Sequence, residues 1–169
     1  MTGGLTLRTG EAQETRELAA ALAAFLELGD VVSLSGELGA GKTCFVQGAA
    51  AALGVEATVT SPTFVLVRAY QGRFPLVHVD VYRLQRLQDV LELGDEVFAE
   101  DVVTFVEWGD AIASLLPEDR LDVDIVHADD TVPDGEPGRR LVVTPHGAWL
   151  ERIARLREAM QPWQVDGRC

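Results

Sequence analysis

The sequence predicts an α/β domain of three layers, in which helices cover a mixed, mainly parallel sheet that ends in antiparallel edge strands. Three observations lead to this fold. Short apolar segments of strand length alternate with longer segments of helical periodicity along most of the chain. A glycine-rich loop separates one such strand from the helix that follows it. Near the end, two strand-like segments flank a loop with two prolines, as in an antiparallel hairpin.

Each predicted element rests on its local pattern. Residues 11–28 place Leu18, Leu22 and Leu26 on one face of a helix, whereas residues 31–35 form the short, mostly apolar run of a buried strand. In chain order we predict strand 5–8, helix 11–28, strand 31–35, helix 45–53, strands 63–70 and 74–79, a helical stretch at 84–98, strand 102–106, hairpin strands 121–126 and 139–144, and helix 149–160.

The length and composition fit a single domain. The chain has 169 residues, of which 47% are hydrophobic and 24% are charged, as is typical of a soluble globular protein. No linker or internal repeat divides it. We therefore predict one domain over residues 1–157 and a C-terminal tail over residues 158–169.

The charge balance is strongly acidic. Lys and Arg total 14 against 27 Asp and Glu, which gives a formal net charge of -13. Because nucleic acids and anionic lipids are bound largely through positive charge, we expect no strong direct nucleic-acid binding. We also expect no membrane insertion, since the longest apolar run, residues 18–28, is interrupted by Glu27 and is shorter than the ~20 residues that a spanning helix needs.

Targeting and cysteine usage indicate the compartment. Residues 1–10 have neither a basic start nor an apolar stretch, so we expect no secretory signal. The two cysteines, Cys44 and Cys169, cannot form a disulfide framework. We therefore expect a reducing, cytoplasmic environment.

Lysine usage singles out one segment. The 14 basic residues comprise 13 arginines and one lysine, Lys42, which lies in residues 36–43, GELGAGKT. This segment fits the pattern GxxxxGK[ST] of the phosphate-binding P-loop, between a predicted strand and a predicted helix. Its glycines let backbone N–H groups turn toward phosphate oxygens, and the helix N-terminus adds partial positive charge. The segment predicts a P-loop NTPase-like domain, and the alternative is a glycine-rich turn with an exposed lysine.

Nucleotide chemistry assigns roles within this loop and requires acids elsewhere. Lys42 would reach the β- and γ-phosphates, and the Thr43 hydroxyl would be a Mg²⁺ ligand. A further acid must help to hold Mg²⁺, and a group must orient the attacking water. Asp80 and Glu107 qualify, because each directly follows an apolar strand.

The two acids have structural alternatives. Strand alternation places His78, Asp80 and Tyr82 on one side of their strand, where a polar row indicates a site. Asp80 is then either a metal or water ligand or the cap of the following helix, and Glu107 either belongs to the site or lies in a simple surface turn.

Residues 60–64, TSPTF, follow the P-loop helix, where a small NTPase has a nucleotide-sensing loop. Ser-Pro is also a common turn at the entry to a strand. This segment alone does not decide between the two interpretations.

Four segments together resemble the signatures of the TsaE family, also called YjeE: residues 36–43, 60–64, 78–83 (HVDVYR) and 106–108 (VEW). The resemblance extends from about Leu5 to Leu156, in order and at family-like spacing, and is much more specific than the P-loop alone. It implies a bacterial ATPase needed for making threonylcarbamoyladenosine in tRNA. Its implied partners are TsaD and TsaB, which carry out the transfer, and the family member with ATP resets their complex between turnovers.

The resemblance also implies the site residues. ATP and Mg²⁺ would be the cofactors, with Thr43 and Glu107 as Mg²⁺ ligands and Asp80 as the acid required for hydrolysis. Lys42, Asp80 and Glu107 are thus the candidate catalytic residues. The nucleotide would be held by Glu37, Leu38, Gly39, Ala40, Gly41, Lys42 and Thr43, with further contacts at Ala12, Thr63 and Trp108. The sequence departs from the family at Cys44, where Thr is common, and this leaves Thr43 intact.

Other function classes are weighed against this one. A P-loop small-molecule kinase is the alternative enzyme, but its lid usually carries several arginines, and only Arg83 and Arg86 lie between the acidic sites. A GTPase is excluded, because its guanine-reading NKxD motif requires an asparagine and this chain has none. A module that binds ATP without hydrolysing it overlaps with the main prediction, because an ATPase that depends on partners is nearly inert alone.

Two further groups leave alternatives open. Trp149 and Trp163 are either core residues or partner contacts. Five arginines near the C-terminal end form either a local basic patch or the solvated faces of the hairpin and the last helix. They are Arg139, Arg140, Arg152, Arg155 and Arg157.

Overall fold

A computed structural model describes residues 3–62, 66–82, 87–94, 96–127 and 138–165 of the chain. None of the helices in these ranges has both the length and the apolar character needed to cross a membrane. The elements are strands β1 (Leu5–Thr9), β2 (Val31–Ser35), β3 (Val67–Gln71), β4 (Pro75–Asp80), β5 (Val103–Glu107), β6 (Arg120–His127) and β7 (Arg139–His146), helices α1 (Ala12–Ala23), α2 (Lys42–Ala52), α3 (Leu87–Leu91) and α4 (Trp149–Ala159), and 3₁₀ helices η1 (Gly109–Leu115) and η2 (Gln161–Trp163).

The strands form one mixed sheet in the order β1-β7-β6-β2-β5-β4-β3. The central strand β2 is parallel to both β5 and β6, and β4 is parallel to β5. At the edges, β3 is antiparallel to β4, β7 is antiparallel to β6, and β1 is antiparallel to β7. The structure confirms the predicted α/β fold, with parallel strands at the centre and antiparallel strands at both edges.

The sheet is covered on both faces. The larger core packs α1, α2 and α4 against one face and includes Leu34, Phe105 and the fully buried Trp149. The smaller core lies on the other face, where Val79 of β4 packs with Ile112 of η1. This arrangement confirms the three predicted layers, and it makes Trp149 a core residue.

Helix α1 is shorter than the predicted helix 11–28. It ends at Ala23, after which the backbone N–H groups of Phe25 and Leu26 bond the carbonyls three residues earlier. The Phe25 carbonyl accepts a hydrogen bond from Arg152 of α4, and that guanidinium also forms two bonds of 2.8 and 2.9 Å with the Asp30 carboxylate. A long-range ion pair therefore turns the chain into β2 where the local apolar pattern would continue the helix. It also makes Arg152 a partner of Asp30 and not a solvated charge.

Two predicted elements near the middle of the chain differ in length. The predicted strand 63–70 begins within the described residues only at Val67, because Leu66 has a left-handed backbone with φ of 69°. Of the predicted helical stretch 84–98, the described residues form only α3, Leu87–Leu91. Residues 63–65, 83–86 and 95 lie outside the described part of the chain.

The boundary predicted at residue 157 falls inside α4. Met160 is fully buried in the larger core, and Trp163 packs against that core. Gln164 then forms a β-bridge with Leu7, and the Val165 backbone donates a 3.1 Å hydrogen bond to the Thr6 carbonyl. Residues 158–165 therefore pack on the domain, and residues 166–169, with Cys169, lie outside the described part of the chain.

Helices α1 and α2 approach each other closely at Gly48. A Cβ atom at this position would overlap the backbone of Arg16 in α1, including its carbonyl oxygen. Backbone atoms cannot move aside as a flexible side chain can, so the absence of a side chain at position 48 sets the distance between the two helices.

We expect the Gly48→Ala variant to lower the free energy of unfolding by about 1–3 kcal/mol, because the added methyl group overpacks the helix interface. Intrinsic helix propensity favours alanine over glycine by about 1 kcal/mol and would have the opposite effect. The Ala51→Gly variant, at an exposed position of the same helix, is the control for propensity alone. Chemical denaturation measures both, and a Gly48→Ala variant more stable than the parent would contradict this packing account.

Candidate functional site

The loop of residues 36–43 connects β2 to α2. Gly36 has φ of 148°, and a Cβ atom there would overlap the Ile125 carbonyl oxygen on β6. Gly41, with φ of 115°, directly precedes α2 and offers no side chain to cap it. The loop therefore lies tightly against the sheet, and the N-terminal backbone N–H groups of α2, with the positive end of its dipole, face the loop.

The Lys42 ammonium is held inside this loop. Its Nζ donates hydrogen bonds to the carbonyl oxygens of Gly36 at 2.6 Å and Glu37 at 2.9 Å, and it lies 4.0 Å from the centre of the Trp108 ring. Burial lowers the pKa of Lys42, while the negative charges of Glu107, Asp80 and Asp110 oppose this shift, Glu107 most strongly. The ammonium is thus placed where carbonyl oxygens, a ring face and carboxylates all attract a cation.

Asp80 and Glu107 lie side by side. They end the neighbouring parallel strands β4 and β5 and are direct partners in the register of that pair. They are 4% and 3% exposed, so Glu107 is not part of a simple surface turn. Because β2, β5 and β4 are parallel neighbours, both carboxylates lie at the same ends of the strands as the start of the loop of residues 36–43.

Glu107 is held through both carboxylate oxygens. The Thr43 hydroxyl donates a 2.7 Å hydrogen bond to Oε1, which joins the first turn of α2 to the end of β5. The Nε2 atom of His78 lies 2.8 Å from Oε2, and His78 is completely buried. The carboxylate therefore has a defined plane between a helix and a strand.

Asp80 closes the turn that follows β4. Its Oδ1 accepts a 2.9 Å hydrogen bond from the Tyr82 backbone N–H, and its Oδ2 accepts a 3.3 Å bond from the Ser61 hydroxyl. Residues 83–86, between this turn and α3, lie outside the described part of the chain, so the helix-cap role of Asp80 stays a prediction. The contact brings the segment of residues 60–62 to the site, whereas Thr63 lies outside the described part of the chain.

Trp108 lies over the site because the chain turns sharply after Glu107. Its backbone is left-handed, with φ of 63°, a conformation that few non-glycine residues adopt. The ring packs against Lys42 on one side and against Tyr82, whose ring centre lies 4.8 Å away at an interplanar angle of 35°. The sequence predicted a role for Trp108 only through the family resemblance, and the structure brings it next to Lys42.

The remaining predicted residues border the same loop. The Cys44 thiol donates a 3.2 Å hydrogen bond to the Ala12 carbonyl, so the start of α1 lies against the first turn of α2. Leu38, at the tip of the loop, is 81% exposed. The described site residues thus lie around one loop, although they come from α1, α2, β4 and β5.

Arg139 also lies at this loop, whereas its sequence context leaves open a local basic patch or the solvated face of the hairpin. A Cβ atom on Gly41 would be 3.0 Å from the Arg139 Nε. This Nε is buried and has no hydrogen-bond partner among the described residues. The local sequence does not distinguish Arg139 from its exposed neighbour Arg140. The position of Arg139 depends on the pairing of β7 with β1, in which it lies opposite Thr9.

The oxygen atoms of the site suit a magnesium ion. Within the described ranges, no group of three or more His, Cys, Asp and Glu side chains forms a metal cage. Mg²⁺ usually binds through one or two carboxylates, with water and substrate phosphates as its other ligands. The Thr43 hydroxyl and the Glu107 carboxylate, 2.7 Å apart beside the loop, fit this kind of site.

The chain matches the model of the family TsaE, "Threonylcarbamoyl adenosine biosynthesis protein TsaE", over residues 9–136. It is similar to proteins named tRNA threonylcarbamoyladenosine biosynthesis protein TsaE from two bacteria. The Bacillus subtilis protein is 44% identical over 127 residues, which cover 75% of this chain and 80% of the relative. The Mycobacterium bovis protein is 41% identical over 152 residues, which cover 82% of this chain and 90% of the relative.

A solved structure supports the same relationship. The crystal structure of Bacillus subtilis YdiB is similar to this chain, with a TM-score of 0.71 and 34% sequence identity. The match covers 94% of this chain and 95% of that chain. The likeness therefore extends over most of the length of both chains.

Proposed function

The chain belongs to the TsaE family of threonylcarbamoyl adenosine biosynthesis proteins, and from this premise we propose that it is a Mg²⁺-dependent ATPase that supports formation of threonylcarbamoyladenosine in tRNA. The observation that carries the proposal is the meeting of Lys42, Thr43, Asp80 and Glu107 around one glycine-rich loop. A phosphate-binding loop, a metal-binding pair and a second acid are the parts that phosphoryl transfer from ATP requires.

The loop of residues 36–43 would bind the phosphates of ATP. Backbone N–H groups at the start of α2 and the Lys42 ammonium supply donors and positive charge at one place. Arg139 adds a guanidinium beside Gly41. A guanidinium forms strong, charge-assisted hydrogen bonds with phosphate oxygens, so a bound phosphate would give its buried Nε–H an acceptor.

Thr43 and Glu107 would hold Mg²⁺. When bound, the ion neutralises charge that develops on the transferring phosphoryl group. The hydrogen bond from Thr43 to Glu107 positions a hydroxyl and a carboxylate beside the phosphate loop, and Lys42 balances part of the negative charge there.

Asp80 would orient the attacking water and accept its proton. The water oxygen forms a bond to the γ-phosphorus, and the bond from this phosphorus to the oxygen that bridges to the β-phosphate breaks, which yields ADP and inorganic phosphate. Hydrogen bonds from the Tyr82 backbone and the Ser61 hydroxyl keep the carboxylate in one orientation. A positioned, buried carboxylate is suited to this task because its rotation and solvation are already restricted.

TsaD and TsaB are the proposed partners, and the cytoplasm is the proposed compartment. The net charge of -13 supports action on a protein complex more than direct binding of tRNA. Two large side chains beside the site, Leu38 and Tyr82, are 81% and 54% exposed and offer apolar contact area to a protein. Cys44 is a free thiol, as is usual in a reducing compartment.

The proposal predicts weak hydrolysis of Mg-ATP by the purified protein and a rate at least about tenfold higher after TsaD and TsaB from the same host are added. The Lys42→Ala variant should lower both rates about a hundredfold or more, because it removes the positive charge beside the phosphates. Phosphate release measures the rates, and circular dichroism checks that the variant is folded. Unchanged turnover in Lys42→Ala would contradict the site, and no response to the pair would favour a screen for the small-molecule acceptor of a kinase.

Asp80 and Glu107 are expected to separate hydrolysis from metal binding. Asp80→Ala should lower the hydrolysis rate about a hundredfold and keep most of the affinity for ATP, because it removes the group that orients water. Glu107→Ala should weaken ATP binding in Mg²⁺ and leave binding in EDTA unchanged. Calorimetric titrations in the two buffers measure both affinities, and the reverse pattern would exchange the two roles.

Arg139 is expected to contribute to nucleotide affinity. Arg139→Ala should weaken ATP binding about 10- to 100-fold, because a charge-assisted hydrogen bond contributes about 1.5–3 kcal/mol. Arg140→Ala is the matched control, since this neighbouring arginine is exposed and has the same charge. Calorimetry compares the two variants at one ionic strength. Equal affinities would show that Arg139 acts only through the overall charge of the chain.

A further inference from the structure

His78 is an unusual residue for its place in the sheet. It lies in β4, whose sequence PLVHVD is otherwise apolar up to its final acid, and it is 0% exposed. Burying a polar ring is unfavourable unless its nitrogen atoms find partners. A leucine or valine at this position would extend the apolar strand without that penalty. We therefore expect the imidazole to have a role other than packing.

The hydrogen bond that this ring forms with a described residue indicates its role. His78 Nε2 lies 2.8 Å from Glu107 Oε2, and an ionised carboxylate only accepts hydrogen bonds, so Nε2 carries a hydrogen and donates it. The other nitrogen, Nδ1, is buried without a hydrogen-bond partner among the described residues. The imidazole is therefore placed as a hydrogen-bond donor to Glu107.

Resting on the function proposed above, we infer that His78 is a positioning residue that fixes the Glu107 carboxylate for Mg²⁺. Thr43 holds Oε1 and His78 holds Oε2, so the two bonds together set the rotation of the carboxylate. Thr43 is itself a proposed ligand. His78 is thus the partner that keeps Glu107 oriented independently of the phosphate loop.

The register of the sheet makes this contact possible. Glu107 lies directly opposite Asp80, two residues beyond His78 on β4. Side chains two residues apart point to the same face of a strand, so His78 lies below Asp80 and reaches diagonally across to Glu107. Ligand-orienting partners of this kind change metal affinity or activity about 10- to 100-fold when they are removed.

The test compares variants by the Mg²⁺ dependence of nucleotide binding. His78→Met fills similar space without a donor, and we expect it to raise the Mg²⁺ concentration for half-maximal ATP binding about tenfold. ATP affinity in EDTA should stay within about twofold of the parent, because the phosphate loop is not changed. His78→Gln offers an amide N–H at similar reach and should restore most of the Mg²⁺ response. Calorimetry measures the affinities, and steady-state hydrolysis follows at saturating and limiting Mg²⁺.

Thr104→Val is the matched control. Thr104 lies on the neighbouring strand β5, is also fully buried, and has a hydroxyl without a hydrogen-bond partner among the described residues. Its side chain is on the opposite face of β5 from Glu107 and from Phe105, the register partner of His78. Replacement of a buried polar side chain in the sheet, away from Glu107, should leave the Mg²⁺ dependence unchanged.

The outcomes are distinct. If His78→Met changes binding equally in Mg²⁺ and EDTA, or if His78→Gln restores nothing, the positioning role is wrong and His78 only supports the fold. If the parent protein shows no Mg²⁺-dependent ATP binding, the proposed function fails and this inference with it.

If His78→Met does not fold, His78→Asn replaces it. The shorter asparagine side chain keeps an amide that does not reach Glu107, so the same tenfold shift in Mg²⁺ dependence is expected. The absence of this shift would overturn the inference.

Discussion

The parallel register of β4 and β5 places two buried carboxylates, Asp80 and Glu107, side by side. Two buried negative charges at adjacent strand ends repel each other, so such a pair persists only where donors and a cation surround it. The neighbours of the pair fit this requirement. Lys42 supplies the positive charge, and Thr43 and His78 donate to one carboxylate while the turn after β4 donates to the other. Most contacts of the site therefore follow from where these two strands end.

The same arrangement concentrates positive charge at one place on an acidic chain. The net charge of -13 describes the field at a distance, where salt screens it beyond about 10 Å. Close to the loop of residues 36–43 the fixed groups decide the field, and there the α2 N-terminus, Lys42 and Arg139 converge. Trp108 covers the ammonium and limits its access to water. Local geometry thus opposes the overall charge within a few ångströms of the site.

The parts of the site that were predicted from sequence are those that depend on nearby residues. The strand, loop and helix around Lys42 follow from a contiguous pattern, and Asp80 was found because it ends an apolar strand. The features that the sequence did not predict correctly depend on contacts between residues distant in the chain. Arg152 ends α1 through Asp30, more than a hundred positions away, and Arg139 reaches the loop through the pairing of β7 with β1. His78 was placed on the correct side of its strand, but its partner follows only from the register of β4 and β5. Thr63 remains a prediction.

The contact between Gln164 and β1 has a consequence for the behaviour of the molecule in concentrated solution. β1 is the outermost strand on its side of the sheet, and an uncovered edge offers unpaired backbone N–H and carbonyl groups to other chains. The segment after α4 occupies part of this edge through Leu7 and Thr6. It therefore protects this edge from pairing with strands of other chains, and a chain that ended before Gln164 would expose that part of β1 to aggregation.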